Sequence, residues 1–310
     1  MKTKLGMLAV LAAISAPAAA GTIDLGVASD YNAFIFGDYR TSGNSVAGAL
    51  AVGGDATLSS NSIANGKHNE YGLVVGGDFN QVSGGSLNGN AWIGGNNGIT
   101  QQYSVSGHVD TAATVGAPID FASAQDYLAS LSSGLAGVDA TGTYSKPNNW
   151  TQALTGSGSA VEFFSLDASD FISANFALNN IVSGATLIFN VAGSDVTLGW
   201  PWQVLNGNYN VLFNFYEATS VRLENASINA SILAVNATIT GSGNLYGTVV
   251  ANQWDNAMTL GNGSFTVTET ALFSGITTAV PEPHDYALLL AGLGVIGLTA
   301  ARRRKILARK

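Results

Sequence analysis

The chain has 310 residues, with 12 Lys and Arg against 20 Asp and Glu, and it contains no cysteine. Only 10% of the residues are charged while glycine supplies 38 of them, which excludes the charge-rich composition of a disordered tail and favours tight turns between short strands. Without cysteine there are no disulfides, so stability has to come from burial and backbone pairing.

The N-terminus has the pattern of a secretory signal peptide. Lys2 and Lys4 form a short basic leader, and an apolar run extends from Leu5 to Ile14. Ala18 and Ala20 are small residues at the positions that a signal peptidase reads. We therefore expect cleavage after Ala20 and export of the rest of the chain. A buried N-terminal helix is the structural alternative.

Three stretches in the first third of the chain resemble one another. Each is a short β-prone run that meets Gly-Gly and then Asp or Asn, which is typical of a corner with positive φ and side-chain-to-backbone hydrogen bonds. The first glycines of the pairs, Gly53, Gly76 and Gly94, are 23 and then 18 residues apart. This spacing predicts the coils of a β-solenoid, in which each coil stacks on the previous one and buries a shared apolar stripe.

The pattern continues in the second half of the chain. Strand-like runs begin at Gly184, Ser220 and Ser264, with Asn, Ser and Gly at the bends. Ala234 and Ala251 follow similar apolar triplets and are 17 residues apart, which again suits one coil. An ordinary β-sandwich with several short strands is the alternative.

One segment, from Pro118 to Val138, has a different period. Its apolar residues recur at helical spacing between a proline at the start and a glycine near the end; they are Phe121, Tyr127, Leu128, Leu131 and Leu135. We predict an amphipathic helix of about four turns that packs along the strands with its apolar face in the core.

Two pairs of carboxylates are candidates for chemistry. Asp55 and Asp78 follow Gly-Gly and could bind calcium, but the longer repeat of calcium-binding β-rolls is missing, so a role in the turns is favoured. Asp167 and Asp170 could in principle act in glycoside chemistry, for which their separation would decide. A solvated surface is the favoured interpretation of this second pair.

Other signals for an enzyme or a metal site are weak. The histidines, His68, His108 and His284, lack metal-ligand spacing. A G-x-G-x-x-G pattern between Gly292 and Gly297 has no preceding strand, so a nucleotide site is not expected. We predict neither a cofactor nor a metal, and no enzymatic activity.

The C-terminus combines a Pro-Glu-Pro triplet, an apolar run and a basic cluster; the triplet is Pro281, Glu282 and Pro283 and the cluster is Arg302, Arg303, Arg304 and Lys305. The run from Tyr286 to Ala301 has 16 residues, whereas a comfortable bilayer crossing needs about 20. By the positive-inside rule, the basic cluster would stay on the cytoplasmic side of the membrane. We therefore expect a short transmembrane helix that can pause in a membrane.

Removing both ends makes the body of the chain strongly acidic. Two of the 12 cations lie in the leader and six in the tail, and the four that remain are Arg40, Lys67, Lys146 and Arg222. Of the 20 acidic residues, 18 remain, so the body has a net charge near −14. Nucleic acid is an unfavourable partner for such a surface, because phosphate backbones are bound through Lys and Arg.

The start of the body resembles the choice-of-anchor A family. The matching positions are Tyr31, Asn32, Phe34, Val46, Gly48, Ala51, Val52, Gly53 and Gly54. Later segments resemble the same family at Asn214, Phe215, Ala218, Thr219, Ile232, Leu233, Ala234, Asn236, Ala237 and Thr238. The family usually has a proline where this chain has Val235, and this departure concerns only the local turn. The resemblance implies a β-solenoid related to ice-binding and adhesive domains, with a helix beside it.

The tail resembles the PEP-CTERM sorting signal of Gram-negative bacteria that make exopolysaccharide. His284 and Asp285 depart from the small hydroxylated residues often found there, while Tyr286 keeps an aromatic position. The resemblance implies processing by an exosortase-type sorting enzyme.

These inferences combine into one expectation. The fold is mainly β, an irregular right-handed parallel β-solenoid with one helix alongside, made of a signal peptide (residues 1–20), a solenoid domain (21–278) and a sorting segment (279–310). The function is structural or adhesive at the cell surface or in the extracellular matrix, with extracellular polysaccharide as partner. The alternatives are an ice-binding module, for which a regular Thr array is needed, and a polysaccharide-active solenoid enzyme.

Overall fold

Short strands dominate the structure. A computed structural model describes residues 21–64, 70–171, 175–255, 259–260 and 276–278, and residues Thr22–Thr278 form one compact unit. The predicted cleavage residues Ala18 and Ala20, the sorting triplet and the basic cluster lie outside the described residues, so these sites stay predictions. Within the described part of the chain, none of the helices has the length and apolar composition that crossing a bilayer requires.

The described strands are β1 Gly21–Ile23, β2 Ala33–Ile35, β3 Tyr39–Ser42, β4 Ser45–Val46, β5 Leu50–Val52, β6 Ala56–Ser59, β7 Asn61–Ile63, β8 Tyr71–Val75, β9 Phe79–Gln81, β10 Gly85–Leu87, β11 Asn90–Ile93, β12 Asn97–Gly98, β13 Tyr103–Val105, β14 Val109–Thr111, β15 Thr143–Asn148, β16 Thr151–Thr155, β17 Val161–Asp167, β18 Asn175–Asn179, β19 Thr186–Ala192, β20 Asp195–Gly199, β21 Asn210–Asn214, β22 Ser220–Ile228, β23 Ser231–Leu245, β24 Val249–Asp255, β25 Thr259–Leu260 and β26 Ile276–Thr278. The helices are α1 Phe121–Ala136 and the 3₁₀ helices Gly26–Asp30, Ala168–Asp170 and Trp200–Leu205.

Parallel pairing arranges most of these strands as three ladders, which are the sides of a solenoid. Side A runs β17, β19, β21, β23, β24, β2, β5, β8, β11, β14. Side B runs β20, β22, β23, β24, β3, β6, β9, β12. Side C runs β22, β23, β25, β4, β7, β10, β13. The solenoid prediction is confirmed, and the sandwich alternative is wrong because a sandwich is built from antiparallel sheets.

The coils do not stack in chain order. Strand β24 from the second half of the chain pairs on side A with β2, which belongs to the first coil. Strand β2 in turn pairs with β5 of the next coil. The first coil therefore lies in the middle of the stack, with the N-terminal coils on one side of it and the C-terminal coils on the other.

The predicted Gly-Gly corners stack on one another. The amides of Gly53, Gly76 and Gly94 donate to the carbonyl oxygens of Ile35, Val52 and Val75, at 2.7, 2.7 and 2.8 Å. The second predicted repeat is also confirmed, since Ala234 of β23 is paired with Ala251 of β24. The spacings of 23, 18 and 17 residues are therefore coil lengths.

The reason for glycine at these corners differs from the predicted one. Gly53, Gly76 and Gly94 do not have positive φ angles. A Cβ at Gly76 would instead overlap the carbonyl oxygen of Gly53 one coil earlier, and a Cβ at Gly94 would overlap that of Gly76. Glycine is required because adjacent coils approach too closely for any side chain.

Alternate residues of each strand fill the interior of the solenoid. In the C-terminal coils the interior contains stacked rings: Phe164 and Phe189 have centroids 5.2 Å apart, and Phe189 and Phe213 are 5.0 Å apart. In the N-terminal coils the equivalent positions of side A are aliphatic, for example Leu50 and Leu73, which are paired. Both sets are fully buried, so one hydrophobic core runs through the stack.

Helix α1 confirms the predicted amphipathic helix. Its N-cap is Asp120, whose side chain accepts a hydrogen bond from the amide of Ser123 at 3.1 Å. Leu128 and Leu135 are buried as expected. Tyr127 differs from the prediction, because it is 45% exposed and its hydroxyl donates to the carbonyl oxygen of Asp24 at 2.8 Å.

Helix α1 packs on the outer face of side A. Two buried asparagines of the sheet hold it in place. The amide of Asn214 donates to the carbonyl oxygen of Ser132 at 2.9 Å, and its Oδ1 accepts from the Ser132 hydroxyl at 2.6 Å. The Asn190 amide donates to the carbonyl oxygen of Leu135 at 2.6 Å. Because these buried groups satisfy one another, they fix the position of the helix without leaving an unpaired polar atom.

A smaller sheet, which we call the cap sheet, consists of β15, β16 and β18. It contacts β17, which is the terminal strand of side A in the C-terminal coils. Near this junction Glu162 of β17 is fully buried and accepts hydrogen bonds from the Thr141 hydroxyl and from the Ser157 and Ser159 amides. Burial raises the pKa of Glu162, but these hydrogen bonds outweigh burial and hold the pKa below its ordinary value.

Replacing Gly76 by alanine tests the coil contact. We expect Gly76→Ala to lower the free energy of unfolding by about 1–3 kcal/mol, because the new methyl group overlaps backbone of the preceding coil. The matched control is Gly134→Ala, which lies inside α1 with open space at the Cβ position and should stabilise by roughly 0.5–1 kcal/mol. Urea unfolding measures both, and equal stability of Gly76→Ala and wild type would contradict the contact.

Candidate binding surface

Side A is covered and offers no free surface along the helix. Its outward residues Phe34, Ala51 and Val74 are fully buried although they point away from the solenoid interior. Phe34 packs against Phe121 of α1, with ring centroids 5.2 Å apart. A ligand of the solenoid would therefore meet side B or side C.

Side B presents a row of polar side chains. Arg40, Thr57 and Asn80 are paired neighbours on β3, β6 and β9. They alternate along their strands with buried residues such as Tyr39 and Leu58. In the C-terminal coils, Thr197, Arg222 and Thr240 form a similar row on β20, β22 and β23. The outer face of side B is therefore polar along much of the stack.

An open groove lies at the edge of side B. One part has a volume of about 500 Å³ and is lined by Arg40, Thr41, Ser42, Thr57, Ser59, Val82 and Asp255. A second part, of about 440 Å³, is lined by Gln81, Val82, Thr100, Gln101 and Gln102. The two parts share Val82, whose side chain is 67% exposed, and we call them together the Val82 groove.

Most residues that line the Val82 groove are polar, although much of its exposed area is apolar, and its charged residues are Arg40 and Asp255. The Arg40 guanidinium is paired with Asp38 at 2.8 Å, so its charge is neutralised nearby. Gln81 Oε1 accepts hydrogen bonds from the amide and hydroxyl of Thr100, at 2.9 and 3.0 Å. The remaining lining groups are mostly hydroxyls and amides, which both donate and accept hydrogen bonds.

The described cations are all engaged with acids. Lys146 lies 2.9 Å from Asp170, and Arg222 lies 3.3 Å from Glu224. With the Arg40 pair, every Lys and Arg in the described part of the chain has a carboxylate partner. A polyanion would find no free cation on this part of the surface.

Side C has a row of serine hydroxyls that sequence reasoning missed. Ser45, Ser62, Ser86 and Ser104 are paired neighbours, one on each of four successive coils. The Ser86 hydroxyl donates to that of Ser62 at 3.1 Å. A sequence signal for this row exists, since Ser62, Ser86 and Ser104 follow the corner glycines Gly53, Gly76 and Gly94 by nine, ten and ten residues.

Asp55 and Asp78 have the turn role that the sequence favoured. Asp55 Oδ1 accepts from the amide of Asp78 at 2.8 Å, and Asp78 Oδ1 accepts from the amide of Asn96 at 2.7 Å. Backbone and side-chain hydrogen bonds from Asn96 lower the pKa of Asp78. Each carboxylate therefore ties its corner to the next coil. The described residues contain no group of three or more His, Asp or Glu that could hold a metal ion.

Asp167 and Asp170 belong to a helix cap. Asp167 accepts from the amide of Ser169 at 2.9 Å, and Asp170 accepts from the amide of Asp167 at 2.8 Å. This reciprocal arrangement is a capping box for the 3₁₀ helix Ala168–Asp170. Hydrogen bonds from Ser169 lower the pKa of Asp167. The pair therefore has a local structural role.

Of the histidines, His108 is described and the other two lie outside the described residues. His108 Nε2 is 2.9 Å from Asp110 Oδ2, which also accepts from the Tyr71 hydroxyl at 2.8 Å. The cluster lies where β14 ends the side A ladder. The predicted glycine motif near Gly292 and the threonines of the run from Ser264 also lie outside the described residues.

A parallel solenoid with one covered side and two exposed polar sides is a scaffold for binding along a surface. Residues 24–266 match the model of a family described as "Putative Ice-binding-like adhesive domain", and the chain belongs to this family. No curated protein and no solved structure matches the chain. The expected adhesin-like domain is therefore confirmed. The choice-of-anchor A and PEP-CTERM resemblances stay predictions.

Substitution of Asp55 separates the turn role from calcium binding. We expect Asp55→Ala to lower the unfolding midpoint slightly, because the amide of Asp78 loses its acceptor. Asp55→Asn keeps a carbonyl oxygen there and should remain close to wild type. Added calcium should not raise the midpoint of any of the three proteins, as measured by thermal unfolding, whereas a calcium-dependent rise lost in both variants would contradict the turn role.

Proposed function

We propose that the chain is a non-enzymatic adhesive protein of the cell surface or extracellular matrix, and that side B binds neutral polysaccharide. The observation that carries this proposal is the Val82 groove beside the polar row of Arg40, Thr57 and Asn80. Membership of an adhesive-domain family supports a surface role.

The chemistry of the groove suits sugars. Its hydroxyl and amide groups can exchange hydrogen bonds with sugar hydroxyls, and Val82 offers an exposed apolar contact. The groove is open, so a polymer can lie across several coils without threading into a pocket. Because the described cations are paired with acids, the proposal favours neutral over anionic polysaccharide and disfavours nucleic acid.

Delivery to the surface is the second part of the proposal and rests on the sequence pattern. Residues 1–20 would direct export with cleavage after Ala20. The tail would pause in the inner membrane with Arg302, Arg303, Arg304 and Lys305 on the cytoplasmic side. An exosortase-type enzyme would then recognise Pro281, Glu282 and Pro283 and release the protein to the cell surface or matrix.

Ice binding is the second candidate function. The serine row of side C favours it, because Ser45, Ser62, Ser86 and Ser104 place one hydroxyl on each of four successive coils. Side B suits ice less well, since charged Arg40 and Arg222 interrupt its threonines. A uniform threonine array, as expected for an ice-binding face, is not formed by these rows of the described residues.

A charge placed in the groove tests the polysaccharide proposal. We expect wild-type protein to bind the neutral fraction of the producing cells' exopolysaccharide. Val82→Asp should weaken this binding about tenfold or more, because the carboxylate would have to be desolvated beneath the polymer. Val115→Asp is the matched control, since Val115 is a 42% exposed valine away from the groove.

Isothermal titration calorimetry measures these affinities, with an ice-recrystallisation assay in parallel. Absence of wild-type binding, together with normal biofilm in a deletion strain, would contradict the adhesive proposal. Inhibition of recrystallisation without polysaccharide binding would favour the second candidate.

Mass spectrometry of the protein isolated from the cell surface tests the delivery proposal. We expect an N-terminus at Gly21 and a C-terminus within the segment 279–310 instead of at Lys310, because the sorting enzyme would remove the basic end. Replacing Pro281 and Pro283 by alanine should leave the unprocessed form in the membrane fraction. A mature wild-type protein that still ends at Lys310 would contradict processing.

A further inference from the structure

The five tryptophans of the chain fall into two groups. Trp92, Trp202 and Trp254 are buried, with at most 4% of their surface exposed. Trp150 is 78% exposed and Trp200 is 53% exposed. Tryptophan is usually buried over most of its surface, so two indoles displayed to solvent need an explanation.

Trp150 is displayed on a fixed turn. It lies between β15 and β16 of the cap sheet, and its amide donates to Asn148 Oδ1 at 2.8 Å. Its carbonyl oxygen accepts from the amide of Asn175 at 3.0 Å. Both backbone groups are therefore held while the indole faces solvent, so little backbone order has to be gained when a ligand binds.

Trp200 lies in a helix that borders the cap sheet. It begins the 3₁₀ helix Trp200–Leu205, which contacts β18. Within that helix Trp202 is buried against Phe176 of β18, with ring centroids 4.8 Å apart. Trp150 bonds to Asn175, the residue before Phe176. The backbone of Trp150 and the helix that begins with Trp200 therefore both contact β18.

The described cations near these tryptophans are paired with acids. Lys146 of the cap sheet is paired with Asp170 and also donates to the carbonyl oxygen of Ser169 at 3.0 Å. Gly199, directly before Trp200, is the ladder neighbour of Glu224, which is paired with Arg222. A phosphate or carboxylate ligand would find no unmatched cation among these groups. Two exposed indoles near paired cations suit the apolar faces of uncharged sugar rings.

We propose that Trp150 and Trp200 form a second glycan-contact surface on the cap, in which each indole stacks on a ring of a neutral polysaccharide. This inference rests on the proposed adhesive function but concerns a surface separate from the Val82 groove. Asn148 and Asn175 position Trp150 through its backbone, so the ring itself makes the contact.

Paired substitutions in the full mature protein test the surface. Titration with the neutral exopolysaccharide fraction should change the tryptophan fluorescence of wild type. We expect Trp150→Ala/Trp200→Ala to lose this change and to bind at least fivefold more weakly. Trp150→Phe/Trp200→Phe keeps two aromatic faces and should bind within about twofold of wild type. Because Trp150 is mostly exposed and Trp200 is about half exposed, the unfolding midpoint of the alanine variant should fall only slightly, and thermal unfolding serves as the folding control.

The outcomes separate this inference from the proposed function. If wild type binds and the double alanine variant binds equally well, the cap surface is wrong while the adhesive proposal stands. If wild type does not bind, both fail. Binding to phosphatidylcholine vesicles and self-association are measured on the same proteins. If wild type shows either property and the alanine variant loses it while glycan binding is unchanged, the indoles contact a bilayer or a second copy. That outcome would overturn the inference.

Discussion

Hydrogen bonding between neighbouring coils is the constraint on which the rest of the structure depends. Parallel strands must lie about 4.7–4.9 Å apart for their backbone groups to pair. At the corners this spacing continues through the second glycines of the pairs: Gly77 donates to the carbonyl oxygen of Gly54, and Gly95 to that of Gly77, both at 2.9 Å. A side chain at these positions would separate the coils and break the pairing on the adjoining sides.

The same constraint determines where a ligand can be bound. A strand of a solenoid buries alternate residues in the interior, and the outward residues remain free unless another element covers them. On side A, α1 covers them, and Asn190 and Asn214 replace water as partners of its backbone. Sides B and C keep polar outward rows, so within the described solenoid they are the sides on which outward side chains remain accessible.

Local sequence predicted the parts of the fold that repeat. The corner glycines and the Ala234–Ala251 pair gave the coil lengths correctly, because each coil must return to the same corner before it can stack. The helix was recognisable from its spacing and its flanking residues. The prediction that the corner glycines have positive φ was wrong. Glycine is required there because neighbouring coils approach closely, as at Gly53 and Gly76, and the sequence of a single coil does not show this contact.

Features that depend on distant contacts were not predictable. Nothing in the local sequence indicates that β24 pairs with β2, because the two strands are far apart in the chain. The cap sheet and the exposure of Trp150 also depend on how separate segments meet. Tyr127 fits the helical spacing, yet it is partly exposed and its hydroxyl bonds to the backbone of Asp24, which is distant in the chain. The serine row of side C required the coil register before its members could be aligned.

The distribution of charge indicates how such a surface would adhere. An acidic body whose described cations are paired gains little long-range attraction for a neutral or anionic polymer, and paired surface charges contribute little to affinity. Affinity would then come from many short-range contacts, repeated from coil to coil along side B and supplemented by the indoles of the cap. Once one segment of a polymer is bound, the neighbouring segments are at a high effective concentration at the next coil. The affinity would therefore depend more on the length of the polymer than on the affinity of any single site. A stack of hydrogen-bonded coils suits this mode, because the strand pairing keeps the residues of each row in register.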